Sequence, residues 1–241
     1  MGVVRQDCGG VKFPWHGVTD RRLMVSFTNL EKANLKNTKL ELAVILGFYG
    51  LRRSEIVGLK WDAVDFSQNT ITIQYTVTSC NLNGKHQIIE KKRTKNKSSR
   101  RTLPMIPALR DKLLRMKTEQ EEWRRVCGRS YIKDYLEFVY VDELGDRVKP
   151  NYITHTFDKA LKKHGLRKVR FHDLRHSCAS LLLANGVSMK QIQEWLGHSD
   201  FGTTANIYAH LSFDSKLSSA DALNFGTAFG RLTQDGIAPA T

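Results

Sequence analysis

Phe171-His172-Asp173-Leu174-Arg175-His176-Ser177-Cys178-Ala179-Ser180-Leu181-Leu182-Leu183-Ala184-Asn185-Gly186, followed by the segment Ser188 to His198, is the stretch on which the fold turns. Its apolar residues recur at helical spacing, which predicts a helix from Asp173 to Ala184 closed by Asn185-Gly186, a pair suited to the left-handed backbone of a helix end. Ser188 and Gln191 have the spacing of a capping box and predict a further helix to Leu196. The start of the first helix carries the chemistry. His172, Arg175 and His176 stand at i, i+3 and i+4 and share one face. Two uses of that face are open at this point. The histidines resemble a zinc-binding pair with Asp173 where a general-base glutamate normally stands, but the aspartate is short, no third ligand has a usual spacing, and Arg175 would lie beside a dication. Alternatively His172 and Arg175 address a phosphate, the guanidinium as a planar two-pronged donor and the imidazole as a switchable one.

Working outward from this segment, helical spacing runs from Asn37 through Leu40, Val44, Leu46 and Phe48 and pauses at Gly50; a second helix is expected from Arg52 to about Lys60. Thr70 to Ser79 is β-branched and alternates with period two, predicting a half-buried strand. Asn83-Gly84 is a hairpin signal, with a return strand from Gln87 to Arg93 and a third strand over Arg101 to Ile106, ended by Pro107. Helix is predicted for Ala108 to Cys127, with Leu109, Leu113, Leu114 and Met116 on the apolar side, then for Ile153 to His164 with Gly165 as its cap, and for Thr203 to Tyr208. Tyr140 to Gly145 reads as a short strand and turn. Trp61 and Trp195 fall at apolar positions and are expected in the core. The expected class is α+β, mainly α-helical with a small three-stranded antiparallel sheet.

The chain of 241 residues is 41% hydrophobic, enough for a substantial core. Thirty-eight Lys and Arg against 24 Asp and Glu give a formal net charge of +14, which points to a polyanionic partner. No amphipathic anchor, apolar span or signal peptide competes with nucleic acid for that role, and a cytoplasmic location is expected. Cys8, Cys80, Cys127 and Cys178 are scattered without metal-ligand spacing and read as reduced, largely buried thiols. The charge is most concentrated between residues 91 and 101, where Lys91, Lys92, Arg93, Lys95, Lys97, Arg100 and Arg101 stand without a single acidic residue. A solvated hairpin tip is one reading. A self-repelling cluster that duplex DNA neutralises, releasing counterions, is the other.

Gly50-Leu51-Arg52-x-Ser54-Glu55, Lys95 in the basic hairpin, His172-x-x-Arg175, Leu196-Gly197-His198 and Tyr208 together closely resemble the signature of the tyrosine recombinase (phage integrase) family. The likeness spans about residues 35 to 215, and it is strongest toward integrases of conjugative transposons and related integrative elements. The resemblance implies Tyr208 as the nucleophile forming a 3′-phosphotyrosine. It implies Arg52 and Arg175 as clamps on the nonbridging oxygens, Lys95 as general acid, His172 as acid or base, and His198 as a hydrogen-bond donor to the phosphate. Glu55 is the supporting acidic companion, and Arg53, Lys91, Lys92, Arg93, Lys97, Arg100 and Arg101 are expected to contact DNA. Neither metal, ATP nor any other cofactor is implied. The expected partners are double-stranded DNA and further copies of the chain, monomeric alone and tetrameric on DNA.

Gly2, Gly9, Gly10, Pro14 and Gly17 without periodicity predict a loosely ordered leader (1–20); the resemblance implies a catalytic domain (21–211) and a C-terminal tail (212–241) whose Leu217, Ala220, Leu223 and Phe225 resemble a subunit-exchanging helix. Whole family members carry a helical DNA-clamping domain ahead of the first catalytic arginine; with 51 residues before Arg52, the expectation is that it is absent here. Weak, salt-sensitive DNA binding is the expectation. The competing readings are a catalytically idle DNA-binding fragment, a type IB topoisomerase and a zinc peptidase.

Overall fold

The computed structural model describes residues 39–82, 85–92 and 100–198. The leader, the hairpin turn Asn83-Gly84, the basic stretch with Arg93, Lys95 and Lys97, the helix expected at Thr203 to Tyr208, and the tail lie outside the described residues. So does Cys8.

At the centre lies α1 (Lys39–Phe48), whose residues Leu40, Leu42, Ala43, Val44, Leu46 and Gly47 are buried around most of its circumference, the mark of a helix enclosed by others. It packs against α3 (Pro107–Cys127), α4 (Pro150–Lys163) and α5 (Asp173–Ala184). Phe171, just ahead of α5, meets Phe157 of α4 edge-on at 5.5 Å, an arrangement worth about 0.5–1.5 kcal/mol beyond its burial.

The helix expected from Arg52 is a single turn, α2 (Arg53–Ile56). Tertiary pairing overrides the helical spacing beyond it: Lys60 bridges Phe138, Val139 N–H donates to Leu59 O, and Trp61 N–H donates to Glu137 O. Trp61 lies in a short 3-10 turn, half-buried, with its Nε1–H on Gln120.

The expected strand over residues 70–79 is two strands. β1 (Val64–Asp65), β2 (Thr70–Ile73) and β5 (Arg101–Pro104) form an antiparallel sheet in the order β1-β2-β5. β3 (Tyr75–Leu82) and β4 (Lys85–Lys92) form a separate hairpin ladder. The chain changes sheet at Gln74, where alternation fails: Thr76 and Val77 are both buried, because the β3 backbone at Thr76 runs against Gly58. β5 ends before the predicted Ile106, since Met105 N–H turns to Asn69 O and Pro107 opens α3 as its first residue.

The buried face of α3 is Leu109, Lys112, Leu113, Met116 and Gln120; Leu114 falls off that stripe and is exposed. Lys112 is accommodated by Glu41 at 2.8 Å. Proline likewise opens α4, which therefore starts three residues earlier than its apolar pattern suggested. Both boundaries of α5 agree with the sequence. So does α6 (Met189–Leu196), where Ser188 Oγ accepts from Gln191 N–H at 3.3 Å and Gln191 Oε1 accepts from Ser188 N–H at 3.1 Å. Cys178 is buried and Cys80 and Cys127 are half-buried thiols. No helix among the described residues is long and apolar enough to cross a membrane.

Candidate active site

The end of α6 and the end of α1 converge, and both terminate on glycine. Gly197 closes α6 in the left-handed conformation (φ 64°) and Gly50 follows α1 at φ 90°. A Cβ on Gly50 would stand 2.7 Å from Leu196 Cδ2, so only glycine lets the two helix ends approach this closely. Trp195 secures the junction from outside, its Nε1–H on Tyr49 O at 3.0 Å and its ring 5.3 Å from that of Tyr49.

Helix ends expose carbonyl oxygens and the negative end of the helix dipole, and here they organise cations. Arg175, on the first turn of α5 and 2% exposed, donates through Nη1 to Gly50 O and through Nη2 to Leu196 O at 2.6 Å. Arg52, at the start of α2 and more open, donates through Nη2 to Gly197 O at 3.0 Å and through Nη1 to Glu55 Oε1 at 2.8 Å. A guanidinium has five N–H donors, so these bonds leave each arginine with capacity for a ligand.

Glu55 is 1% exposed and lies between two arginines. Its carboxylate accepts from the Arg52 backbone at 2.9 Å, from Arg52 Nη1, and from Arg101 Nη1 and Nη2 at 3.3 and 3.0 Å. Burial pushes this carboxyl up, but the Arg101 and Arg52 charges and hydrogen bonds outweigh it and hold the group down at about 2. Burial lowers Arg175 to about 9, with Arg52 and Arg101 acting the same way and Glu55 opposing, so it stays protonated at neutral pH.

His172 and His198 complete the cluster. His198 follows Gly197, is 9% exposed, and has its backbone tied to Gln193. Burial, reinforced by Arg175 and Arg52, lowers it to about 4. His172 stands at the start of α5 and is exposed, yet partial desolvation, then His176 and Arg175, lower it to about 4 as well. Both imidazoles are neutral at pH 7, and either can give or take a proton or donate one N–H. His176 stacks edge-on to His172 at 4.9 Å. Among the described residues no three His, Cys, Asp or Glu side chains converge as a metal site would.

The structure therefore brings Arg52, Glu55, His172, Arg175 and His198 together. Arg53, expected on DNA, donates to Thr154 Oγ1 at 2.7 Å, while Lys91, Lys92 and Arg100 are exposed. Arg101 differs from expectation: it is 8% exposed and spent on Glu55 rather than on the surface. Period-two alternation held the signal, because Arg101 and Leu103 face inward on β5 while Thr102 and Pro104 face out. The base of the basic hairpin is held by Arg147, which pairs with Glu90 of β4 and lies 4.8 Å from the Tyr135 ring centroid and 5.6 Å from that of Phe138. Lys60 adds contacts to the Tyr75 and Phe138 rings at 4.6 and 4.8 Å.

Residues 22–215 match the model of the phage integrase family. A tyrosine recombinase XerC-like protein of Caldanaerobacter subterraneus subsp. tengcongensis is 30% identical over 92% of this chain and 60% of its own length. The ICEBs1 integrase of Bacillus subtilis is 29% identical over 73% of this chain and 45% of its own length. The chain thus spans about half the length of the curated relatives it matches. Among solved structures, the Tn1549 transposon integrase in complex with circular intermediate DNA superimposes with a TM-score of 0.64 at 23% identity, covering 82% of this chain and 65% of that one. XerA recombinase does so with a TM-score of 0.58 at 22% identity, covering 82% and 62%. These two likenesses establish the fold, that of a tyrosine recombinase catalytic domain.

Proposed function

The chain belongs to the phage integrase family, and from that premise we propose that it cleaves and rejoins duplex DNA at specific sites through a covalent bond between Tyr208 and a 3′ phosphate. The observation that carries the proposal is the convergence of Arg52 and Arg175 on one pair of helix ends, beside two neutral imidazoles.

In this reading Tyr208 Oη attacks the scissile phosphorus and the bond from phosphorus to the 5′ oxygen breaks. Arg52 and Arg175 stabilise the second negative charge that the pentacoordinate transition state develops. His172, neutral at pH 7, takes the phenolic proton; His198 donates its N–H to a nonbridging oxygen. Lys95 protonates the leaving 5′ oxygen. The phosphotyrosine conserves the energy of the diester, so a 5′ hydroxyl from another strand reverses the step without ATP. Lys95 and Tyr208 enter from the family signature and lie outside the described residues.

Double-stranded DNA is the partner, favoured by the formal charge of +14. Assembly into a tetramer on DNA, a cytoplasmic location and service to a mobile element belong to the same proposal, the last supported by the relative named an integrase.

The test is a duplex nicked beside the cleavage site, from which the short 5′-hydroxyl strand diffuses away and traps the intermediate. Wild-type chain should form a covalent adduct and Tyr208→Phe none. Wild-type chain that binds the duplex without forming adduct would instead be an idle DNA-binding fragment.

A further inference from the structure

Arg101 poses a question of physical chemistry. Its side chain is inward on β5, both terminal nitrogens are on Glu55, and its Nε is buried with no hydrogen-bond partner among the described residues. Leaving a buried donor unmade costs about 1–3 kcal/mol, and an aliphatic residue would fill an inward strand position without that cost. What an aliphatic residue cannot supply there is positive charge.

Glu55 shows where the charge acts. With Arg52 as sole partner, a buried carboxylate would cancel the charge of the more open of the two ligand-facing guanidiniums. Arg101 shares that carboxylate, so among the described residues Arg52, Arg101 and Arg175 stand against the one carboxylate of Glu55 and the cluster keeps an excess of positive charge. We propose that Arg101 is a positioning residue for strand cleavage: without touching DNA, it shares Glu55 with Arg52, so that Arg52 keeps net positive charge toward the scissile phosphate. The inference rests on the reading of this cluster as a phosphodiester-cleaving centre. A diester carries one negative charge in the ground state and two in the pentacoordinate transition state. Losing a buried positive charge therefore weakens the cleavage step more than it weakens DNA binding.

The experiment measures single-turnover adduct formation and duplex affinity separately, on the full chain with a nicked duplex. Arg101→Met should slow cleavage by about 10²-fold while affinity changes less than about threefold. Combining Arg101→Met with Glu55→Gln removes one charge of each sign and restores the excess, so the double variant should regain at least about tenfold over the single one. Arg101→Lys, which keeps the charge, should stay within about tenfold of wild type. Wild-type cleavage by Arg101→Met, lost affinity at an unchanged rate, or a double variant no better than the single one would each overturn the proposal; the second of these would make Arg101 a DNA contact. If Arg101→Met does not fold, the lysine and double variants decide, because both must cleave when folded. If wild-type chain forms no adduct, the reading of the centre fails on its own, and orthovanadate decides the charge inference. Millimolar orthovanadate should raise the melting temperature of wild type and the double variant but not of Arg101→Met, which lacks the charge at issue; equal stabilisation of all three would overturn it.

Discussion

Arg175 and Arg52 donate to consecutive carbonyl oxygens, those of Leu196 and Gly197, at 2.6 and 3.0 Å. One helix end therefore spaces two guanidiniums that come from distant parts of the chain. The backbone carbonyls set this spacing together with the Glu55 carboxylate on Arg52, so changes to the end of α6 should reach the chemistry without touching either arginine.

Gly197→Ala tests that directly. A side chain in the left-handed region costs about 1–2 kcal/mol, and relief of the strain would turn the Gly197 carbonyl away from Arg52. Urea unfolding should show that loss, and adduct formation should slow by about 10-fold or more, following the steep dependence of rate on placement. A variant destabilised by this amount but cleaving at the wild-type rate would mean that the carbonyl does not place Arg52.

Ser188→Ala, at the other end of the same helix, removes the hydroxyl that accepts from Gln191 N–H and should cost about 1 kcal/mol of stability. Because the cluster sits at the opposite terminus, the cleavage rate of the folded fraction should stay within about twofold of wild type. Denaturant titration and single-turnover kinetics on the same preparation check both statements.

Arg175→Lys keeps the charge but cannot reach both Gly50 O and Leu196 O as the planar fork does. One buried carbonyl is left short of a donor, at about 1–3 kcal/mol. Unfolding midpoints should fall accordingly, and thermal and chemical denaturation should agree.

Acid should weaken the free protein from pH 6.5 downward. His172 and His198 are held near 4, below their ordinary 6.5, chiefly by burial. The unfolded chain therefore takes up protons first as pH falls, and stability present above about pH 6.5 is lost on the way to pH 4. Glu55, held at about 2, adds a further loss below about pH 4.5. Urea midpoints at pH 7, 5.5 and 4.5 should decline in that order; a midpoint that rises on acidification contradicts the lowered pKa of the two imidazoles.

Much of this was readable from local pattern. The boundaries of α5, the capping box of α6 and the grouping of His172 with Arg175 follow from helical spacing and end signals, which are local properties. What sequence pattern did not show are non-local choices. Thr70 to Ser79 has one uninterrupted alternation, yet the chain leaves one sheet for another at Gln74 because Gly58 packs on the next strand. Arg52 to Lys60 has helical spacing, yet Leu59 to Trp61 pairs with Glu137 to Val139 instead. Arg101 sits in a run of basic residues that looks like surface, and only its phase relative to Leu103 hints that it turns inward to Glu55. The family signature named Arg52, Glu55, His172, Arg175 and His198, but not the three carbonyl oxygens that hold two of them.

The most direct measurement of the central claim replaces the scissile phosphate of the nicked duplex with a methylphosphonate, which removes one negative charge and leaves the geometry. If the guanidinium pair works by neutralising phosphate charge, Arg175→Ala should fail on the ordinary duplex and regain adduct formation by about 10²-fold or more on the methylphosphonate, while Tyr208→Phe stays inactive on both. An Arg175→Ala variant that is folded and equally defective on the two substrates would contradict the account.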